Sequence, residues 1–339
     1  MHPVCILGAG SWGTAQAILL SLSGHKVTMW GREQDGIAQM KLTGENRQYL
    51  PGVAIPKSVH ITSDIYEAVK PAKMIILAVP AQTVRQVLTS IAPIIPAGAL
   101  IINTSKGLEI EKGMRMSQVT ADVLGQDILK RYAVLSGPSH AEEVARKVPT
   151  VVTAASINLK TAHQVQDLYM TSWFRVYTNP DVAGVELGGA LKNIVAIAAG
   201  IIRGLGYGDN TLAALITRGL TEMTRLGVAM GGDFRTFAGL SGLGDLVVTC
   251  GSIHSRNQRA GMMIGQGLTL AETLDKIGMV VEGVYTSKIA HKLAESFQVD
   301  MPIVRACYRI LHEQVNPRDE VDRLMKRGKK HEIEDLVQP

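Results

Sequence analysis

The stretch VCILGAGSWGTAQAILLSLSG, Val4 to Gly24, decides how the first half of the chain is read. It opens on a short apolar run, the pattern of a strand covered on both faces. It passes through G-A-G-S-W-G and continues as an apolar helix. The spacing G-x-G-x-x-G is weak alone, but between a strand and a helix it marks a dinucleotide site. Gly8 permits the tight turn, Gly10 lets backbone approach a pyrophosphate, and Gly13 lets the helix pack against the strand. The pyrophosphate then sits at the positive end of the helix.

Outward from this unit the same alternation repeats. Val4–Leu7, Lys26–Trp30, Val59–Thr62, Lys73–Val79, Ala99–Asn103, Tyr132–Ser136, Thr150–Ala155 and Phe174–Thr178 read as strands, with helical periods among them. That order predicts an α/β fold with a Rossmann-like doubly wound sheet. After Pro180 the strands stop, and only helical periods follow, divided by joints at Gly204–Asn210, Met230–Asp233 and Gly239–Asp245. Two domains are expected: a dinucleotide-binding domain over 1–180 and an all-helical substrate and catalytic domain over 181–339. The basic run Lys326–Lys330 reads as a solvated helix end.

The composition narrows the function. Of 339 residues, 46% are hydrophobic and 19% charged, an ordinary globular balance. Aromatics are 4%, too sparse for the base-stacking platforms of nucleic-acid binders. The net charge of +5 suits a phosphorylated small molecule. Cys5, Cys250 and Cys307 show no metal or disulfide spacing. No signal peptide is read at the amino terminus, and the apolar run Val182–Ile202 is interrupted by Glu186, Lys192 and Asn193. These features predict a reduced, cytoplasmic protein with no stable membrane insertion, no nucleic-acid partner and no metal.

Cofactor choice turns on the end of the second strand, TMWGRE. A carboxylate there would bind the ribose 2′-hydroxyl of NAD, whereas Arg32 stands at that place and can accept the 2′-phosphate of NADP. NADP(H) is therefore preferred, with NAD(H) left open, because Glu33 follows at once. Two capping boxes are read: Ser255 with Gln258 and Ser139 with Glu142. The first sets Arg256 and Asn257 in a first helical turn, a position that favours an anion, so a phosphate is expected there. The second follows the strand Tyr132–Ser136, as Lys106 follows Ala99–Asn103, and strand carboxyl ends are where ligands bind. Lys106 either reaches a substrate oxygen or is solvated on its loop. His140 reads as an exposed helix residue rather than an acid–base group.

Lys192 is a lone charge in the apolar helix ELGGALKNIVAIAAG. Helical side chains lean over the preceding turn, where Gly188 and Gly189 leave bare backbone, so a ligand-sized space is expected beneath the ammonium. Desolvation would lower its pKa toward neutrality, as suits a proton donor. The alternative is a lysine that snorkels or pairs with a carboxylate; Asp245 is the candidate partner, and Thr249 lies one turn further along.

Taken together, GAGSWGTA, NTSKGLE, GPSHAEEV, ELGGALKNIVAIAAG, GLSGLGDLVVTCGSIHSRN and VVEGVYT resemble, in order and over nearly the whole chain, the bacterial NAD(P)-dependent glycerol-3-phosphate dehydrogenase family. The resemblance implies reduction of dihydroxyacetone phosphate to sn-glycerol 3-phosphate, a precursor for glycerophospholipid synthesis, by a homodimer with substrate in a cleft between its domains. It implies Lys192 as general acid–base group. Ser11, Trp12, Arg32, Ala141, Val280 and Glu282 match cofactor contacts, and Arg256 matches a residue near both cofactor and substrate. Lys106, Gly137, Ser139, Asp245, Ser255 and Asn257 match substrate-side positions. Lys106 is also assigned to the cofactor, and Asn193 and Thr249 to the substrate side. Asn193 or Asp245 would orient the lysine. His140 departs from the family's phenylalanine. The rival readings are a β-hydroxyacid dehydrogenase acting on a hydroxy-carboxylate and, of another class, a non-catalytic NADPH-sensing regulator.

Overall fold

A computed structural model describes residues 2–329 and 331–332. Strands β1 (Pro3–Leu7), β2 (Lys26–Trp30), β3 (His60–Thr62), β4 (Met74–Leu77), β5 (Leu100–Asn103), β6 (Tyr132–Ser136), β7 (Thr150–Ala155) and β8 (Phe174–Asn179) form one sheet. Its order is β3-β2-β1-β4-β5-β6-β7-β8. The six strands from β3 to β6 run parallel in the doubly wound order 3-2-1-4-5-6. β7 reverses direction against β6, and β8 is parallel to β7. Helices cover both faces of the central strands, so β4, β5 and β6 are buried at every residue. β8 lies at the sheet edge and begins with a buried–exposed alternation.

From Val182 onward the described residues form helices and no strand. The longest, Val182–Gly204, is apolar enough to pass as a membrane span, yet its most apolar stretch is wholly buried inside the protein. One side of it packs Leu187, Leu191, Ile194 and Ala198 with Met223, Leu226, Phe237 and Leu246. Another side packs Ile197 and Ile201 with Ala260 and Ile264. Gly200 and Gly204 face the Arg256–Gly265 helix so closely that a Cβ would strike the carbonyls of Gln258 and Met262. Gly261 answers against the Ile197 carbonyl, and the two helices cross backbone to backbone. The basic run at the end is exposed over Lys326–Lys329, and Lys330 lies outside the described residues.

The chain divides into two compact units: 1–105 with 116–182, and 106–115 with 183–339. The expected division at 180 placed 106–115 with the sheet half, whereas the segment belongs to the helical unit. Leu108 is fully buried in the helical core, Lys106 pairs with Asp245, and Arg115 pairs with Glu186. Those contacts draw the segment into the helical unit although it follows β5 in sequence.

Candidate active site

In the sheet unit, the turn after β1 is enforced by steric exclusion. Gly8 has φ +126°, and a Cβ there would press on the Ala78 carbonyl group at 2.7 Å. A Cβ on Gly13 would overlap the Gly8 carbonyl oxygen, while one on Gly10 would meet nothing within 4 Å. The helix Ser11–Leu22 starts with Gly10 as N-cap and no side-chain cap, so its first-turn N–H groups are left for a ligand. A tight turn, a backbone open to approach and an uncapped helix end fit the pyrophosphate of NAD(P)H. Ser11 and Trp12, both half-buried, begin that helix.

Asn46 was not singled out in the sequence, and it holds this turn. Fully buried, it donates from Nδ2 to the Ala9 carbonyl at 2.9 Å and to Thr14 Oγ1 at 2.8 Å. It stands 37 residues beyond Ala9 in a loop without periodicity, so no local signal points to it. Arg32 is exposed just past β2, and its guanidinium bonds Asp35 at 2.8 Å and 3.2 Å. Asp35 is therefore a second carboxylate, beside Glu33, near the place where a ribose-binding carboxylate would stand.

Near β6, Gly137 has φ +144° and its Cα lies against Val152, where a Cβ would crowd at 3.0 Å. The capping box expected of Ser139 is not formed. The helix spans Ala141–Ala145 with His140 as N-cap, and Ser139 Oγ donates to the Gly137 carbonyl instead. The box pattern is one residue out of register with the helix, because the turn imposed by Gly137–Pro138 delays its start. Ala141 is buried at the first helical position.

In the helical unit, three charged side chains meet. Lys192 is 5% exposed; its Nζ donates to Asp245 Oδ1 at 2.5 Å and to Thr249 Oγ1 at 2.6 Å. Lys106 Nζ donates to the other carboxylate oxygen, Asp245 Oδ2, at 2.6 Å. One buried carboxylate thus bridges two ammonium groups. Burial lowers the pKa of Lys192 to about 8; Asp245 pulls it up and Lys106 pushes it down. For Asp245 burial favours the acid form, but the two lysines outweigh it and hold the carboxyl below its usual range. Asp245, not Asn193, orients the lysine.

Local sequence explains the placement. A π-helical turn, Leu240–Gly244, leads into the helix Asp245–Gly251, with Asp245 in its first turn where the macrodipole favours an acid. Gly188 lets the Ser241 carbonyl come so near the Val182–Gly204 helix that a Cβ would sit 2.6 Å from it. The space expected beneath Lys192 is therefore occupied at Gly188 by the Ser241–Gly242 backbone, and the glycine serves close packing.

Ser255 caps the Arg256–Gly265 helix by accepting from the Gln258 N–H. The reciprocal half of the box is missing, since the Ser255 N–H donates to the Ser252 carbonyl. Arg256 is half-buried in the first turn. The Asn257 amide, expected to face a phosphate, is engaged inside the unit: its Nδ2 donates to Asn193 Oδ1 and its Oδ1 accepts from the Gly283 N–H, both at 2.9 Å. Val280 precedes the helix Glu282–Ser296, whose first residue is Glu282.

A dinucleotide turn on a mostly parallel sheet, and a lysine–aspartate–lysine centre among helices, are the features of a nicotinamide-dependent oxidoreductase. Family models for the N-terminus and C-terminus of NAD-dependent glycerol-3-phosphate dehydrogenase match residues 3–162 and 181–322. The chain is 58% identical over 337 residues to a glycerol-3-phosphate dehydrogenase [NAD(P)+] of Syntrophomonas wolfei, covering 99% of this chain and 98% of the relative. It is 53% identical to that of Pelotomaculum thermopropionicum, over 98% of this chain and 96% of the relative. A crystal structure of glycerol-3-phosphate dehydrogenase from Coxiella burnetii superposes with a TM-score of 0.92 at 42% identity, covering 96% of this chain and 99% of that one. The chain belongs to the NAD-dependent glycerol-3-phosphate dehydrogenase family.

Proposed function

We propose that the protein reduces dihydroxyacetone phosphate to sn-glycerol 3-phosphate, with NAD(P)H as cofactor and Lys192 as the general acid. The observation that carries this reading is the buried Lys192 ammonium, fixed by Asp245 and Thr249 and shifted to a pKa of about 8. A group of that pKa is protonated at neutral pH and releases its proton readily. Bound at the Gly8–Gly13 turn, the cofactor supplies the hydride. Charge then develops on the substrate's carbonyl oxygen, and Lys192 Nζ stabilises it and protonates it. Thr249 and Asp245 hold the amine in place as its proton leaves.

The substrate phosphate is assigned to the start of the Arg256–Gly265 helix, where the Arg256 guanidinium and first-turn N–H groups favour an anion. This remote contact helps position the carbonyl. Arg32 supports a preference for NADP(H), since release of its guanidinium from Asp35 would offer two donors to a 2′-phosphate.

The test is NADPH oxidation with dihydroxyacetone phosphate beside a panel of keto acids. Turnover is expected on the phosphorylated ketone, and Lys192→Ala should keep cofactor binding while losing kcat by about 10³-fold or more. Near-normal turnover in that variant, or a better keto-acid substrate, would overturn the reading.

A further inference from the structure

The segment 106–115, which leaves the sheet unit to join the helical one, is a small hairpin. Leu108 and Arg115 form an antiparallel bridge, and the Glu109 N–H donates to the Met114 carbonyl at 2.9 Å. Gly113, at φ +68°, turns it back, with a Cβ position 3.4 Å from Ile289. Lys106 lies two residues before the bridge. At the other leg, Arg115 Nη1 donates to Glu186 Oε2 at 2.9 Å. Both side chains are sheltered, at 15% and 2% exposure, so water screens the pair little. Glu186 sits on the same helix as Lys192, six residues earlier. One rigid helix therefore carries both the proton donor and the anchor of the loop that brings its neighbouring charge.

We propose that the Arg115–Glu186 pair is a positioning device for the catalytic centre: it pins the hairpin and thereby keeps the Lys106 ammonium on Asp245, beside Lys192. The proposal rests on the reading of Lys192 as general acid. A lysine side chain gives up considerable rotamer freedom to hold one contact, so a fixed loop base makes that contact persist. The titratable groups acting on Lys192 are Asp245 and Cys250 from the Asp245–Gly251 helix and Lys106 from the hairpin. Glu186 lies on its own helix, paired with Arg115. Of the lysine's neighbours, Lys106 is the one whose distance the hairpin controls, and it works to release the Lys192 proton. Loosening the hairpin leaves Asp245 and Thr249 to hold Lys192 without the opposing Lys106 charge, and the lysine keeps its proton to higher pH.

The experiment compares pH profiles of ketone reduction for wild type, Glu186→Gln, Arg115→Lys and Lys106→Met, with hydrogen exchange of 106–115 read in parallel. Glu186→Gln should move the basic limb of kcat upward by about half a unit to one unit. It should also speed amide exchange in the hairpin. Arg115→Lys, which keeps the charge, should retain most of the wild-type profile. In a Lys106→Met background, Glu186→Gln should add no further shift, because both act through one charge. A pair that merely stabilises the fold would lower the melting temperature and leave the limb in place, and that result overturns the proposal. So does unchanged exchange in Glu186→Gln, whatever the catalysis. Should Glu186→Gln not fold, Arg115→Gln takes its place: a limb shift as large as that of Lys106→Met supports the proposal, and a limb at the wild-type position with accelerated exchange overturns it. Survival of turnover in Lys192→Ala instead removes the general-acid reading and leaves the hairpin's exchange behaviour to stand or fall separately.

Discussion

The dinucleotide turn of the sheet unit and the lysine centre of the helical unit are built from opposite materials. The turn Gly8–Gly13 contains no charge; its shape follows from what does not fit. The lysine centre is delivered by a π-helical turn before Asp245, but its shape follows from attraction among side chains drawn from three segments. Lys106 and Asp245 are 139 residues apart, and Lys192 and Asp245 are 53 apart. The first site should therefore be sensitive to volume and indifferent to pH, and the second the reverse.

The strongest way to break that contrast is Asp245→Asn, which keeps volume and removes charge. Two ammonium groups then face each other across a buried amide. We expect kcat to fall by about 10²–10⁴-fold. Because Asp245 raises the proton affinity of Lys192, its loss should move the basic limb of the reduction profile down from about 8. A loss in kcat below tenfold, or a limb that moves upward, would show that electrostatics does not organise the helical site.

The turn is tested by two substitutions of one methyl group each. Gly13→Ala should cost about 3–4 kcal/mol, since the Cβ overlaps the Gly8 carbonyl oxygen and backbone must shift. Gly10→Ala meets nothing in the protein, and its φ of −75° suits any residue. Its melting temperature should stay at the wild-type value while its cofactor dissociation constant rises by about tenfold or more. Equal destabilisation by both would mean that Gly10 is structural and the open space beside it is not a ligand's.

A fourth substitution sharpens the contrast with a buried charge outside both sites. Glu222 is 3% exposed and accepts the N–H groups of Ile303 and Val304, capping the helix Pro302–His312 from a neighbouring helix. Burial raises its pKa from 4.5 to about 7, against the pull of those two N–H groups. Between these values the folded state holds a proton that the unfolded state has lost. Stability should therefore fall as pH rises from 4.5 to 7, by about 3 kcal/mol in all. Glu222→Gln should flatten that slope in urea titrations at pH 5 and 7. An unchanged slope would clear Glu222 of the effect.

These tests also bear on what the sequence made legible. All eight strands lie where short apolar runs predict them, because strand burial is a local pattern. Lys192 was legible for a related reason: a single charge in an apolar helix stands out against its neighbours, its partner Asp245 followed from charge balance, and Thr249 lies one turn further along. The reversal of β7 was not legible, since apolar runs carry no direction. The transfer of 106–115 to the helical unit was not legible either, because its cause is Leu108, Lys106 and Arg115 meeting residues far along the chain. Asn46 and Glu222 were missed on the same ground. Each acts on backbone groups of another segment, and a loop asparagine or a helical glutamate looks ordinary in its own context.

The smallest expected effect concerns cofactor choice, where the volume logic of the turn and the charge logic of the helical unit meet in one residue. Arg32 sits at the end of β2 with its guanidinium held by Asp35. The pair is exposed on the arginine side, so its own worth is under about 1 kcal/mol. A 2′-phosphate carries more charge than the Asp35 carboxylate and can take the guanidinium from it at little cost. Arg32→Ala should then lower the ratio of kcat/KM for NADPH over NADH by about five- to tenfold. Asp35→Asn, which frees the guanidinium without removing it, should raise the same ratio. If Arg32→Ala leaves the ratio unchanged, the arginine is a surface residue paired with its neighbour, and ribose recognition lies with the backbone of the turn.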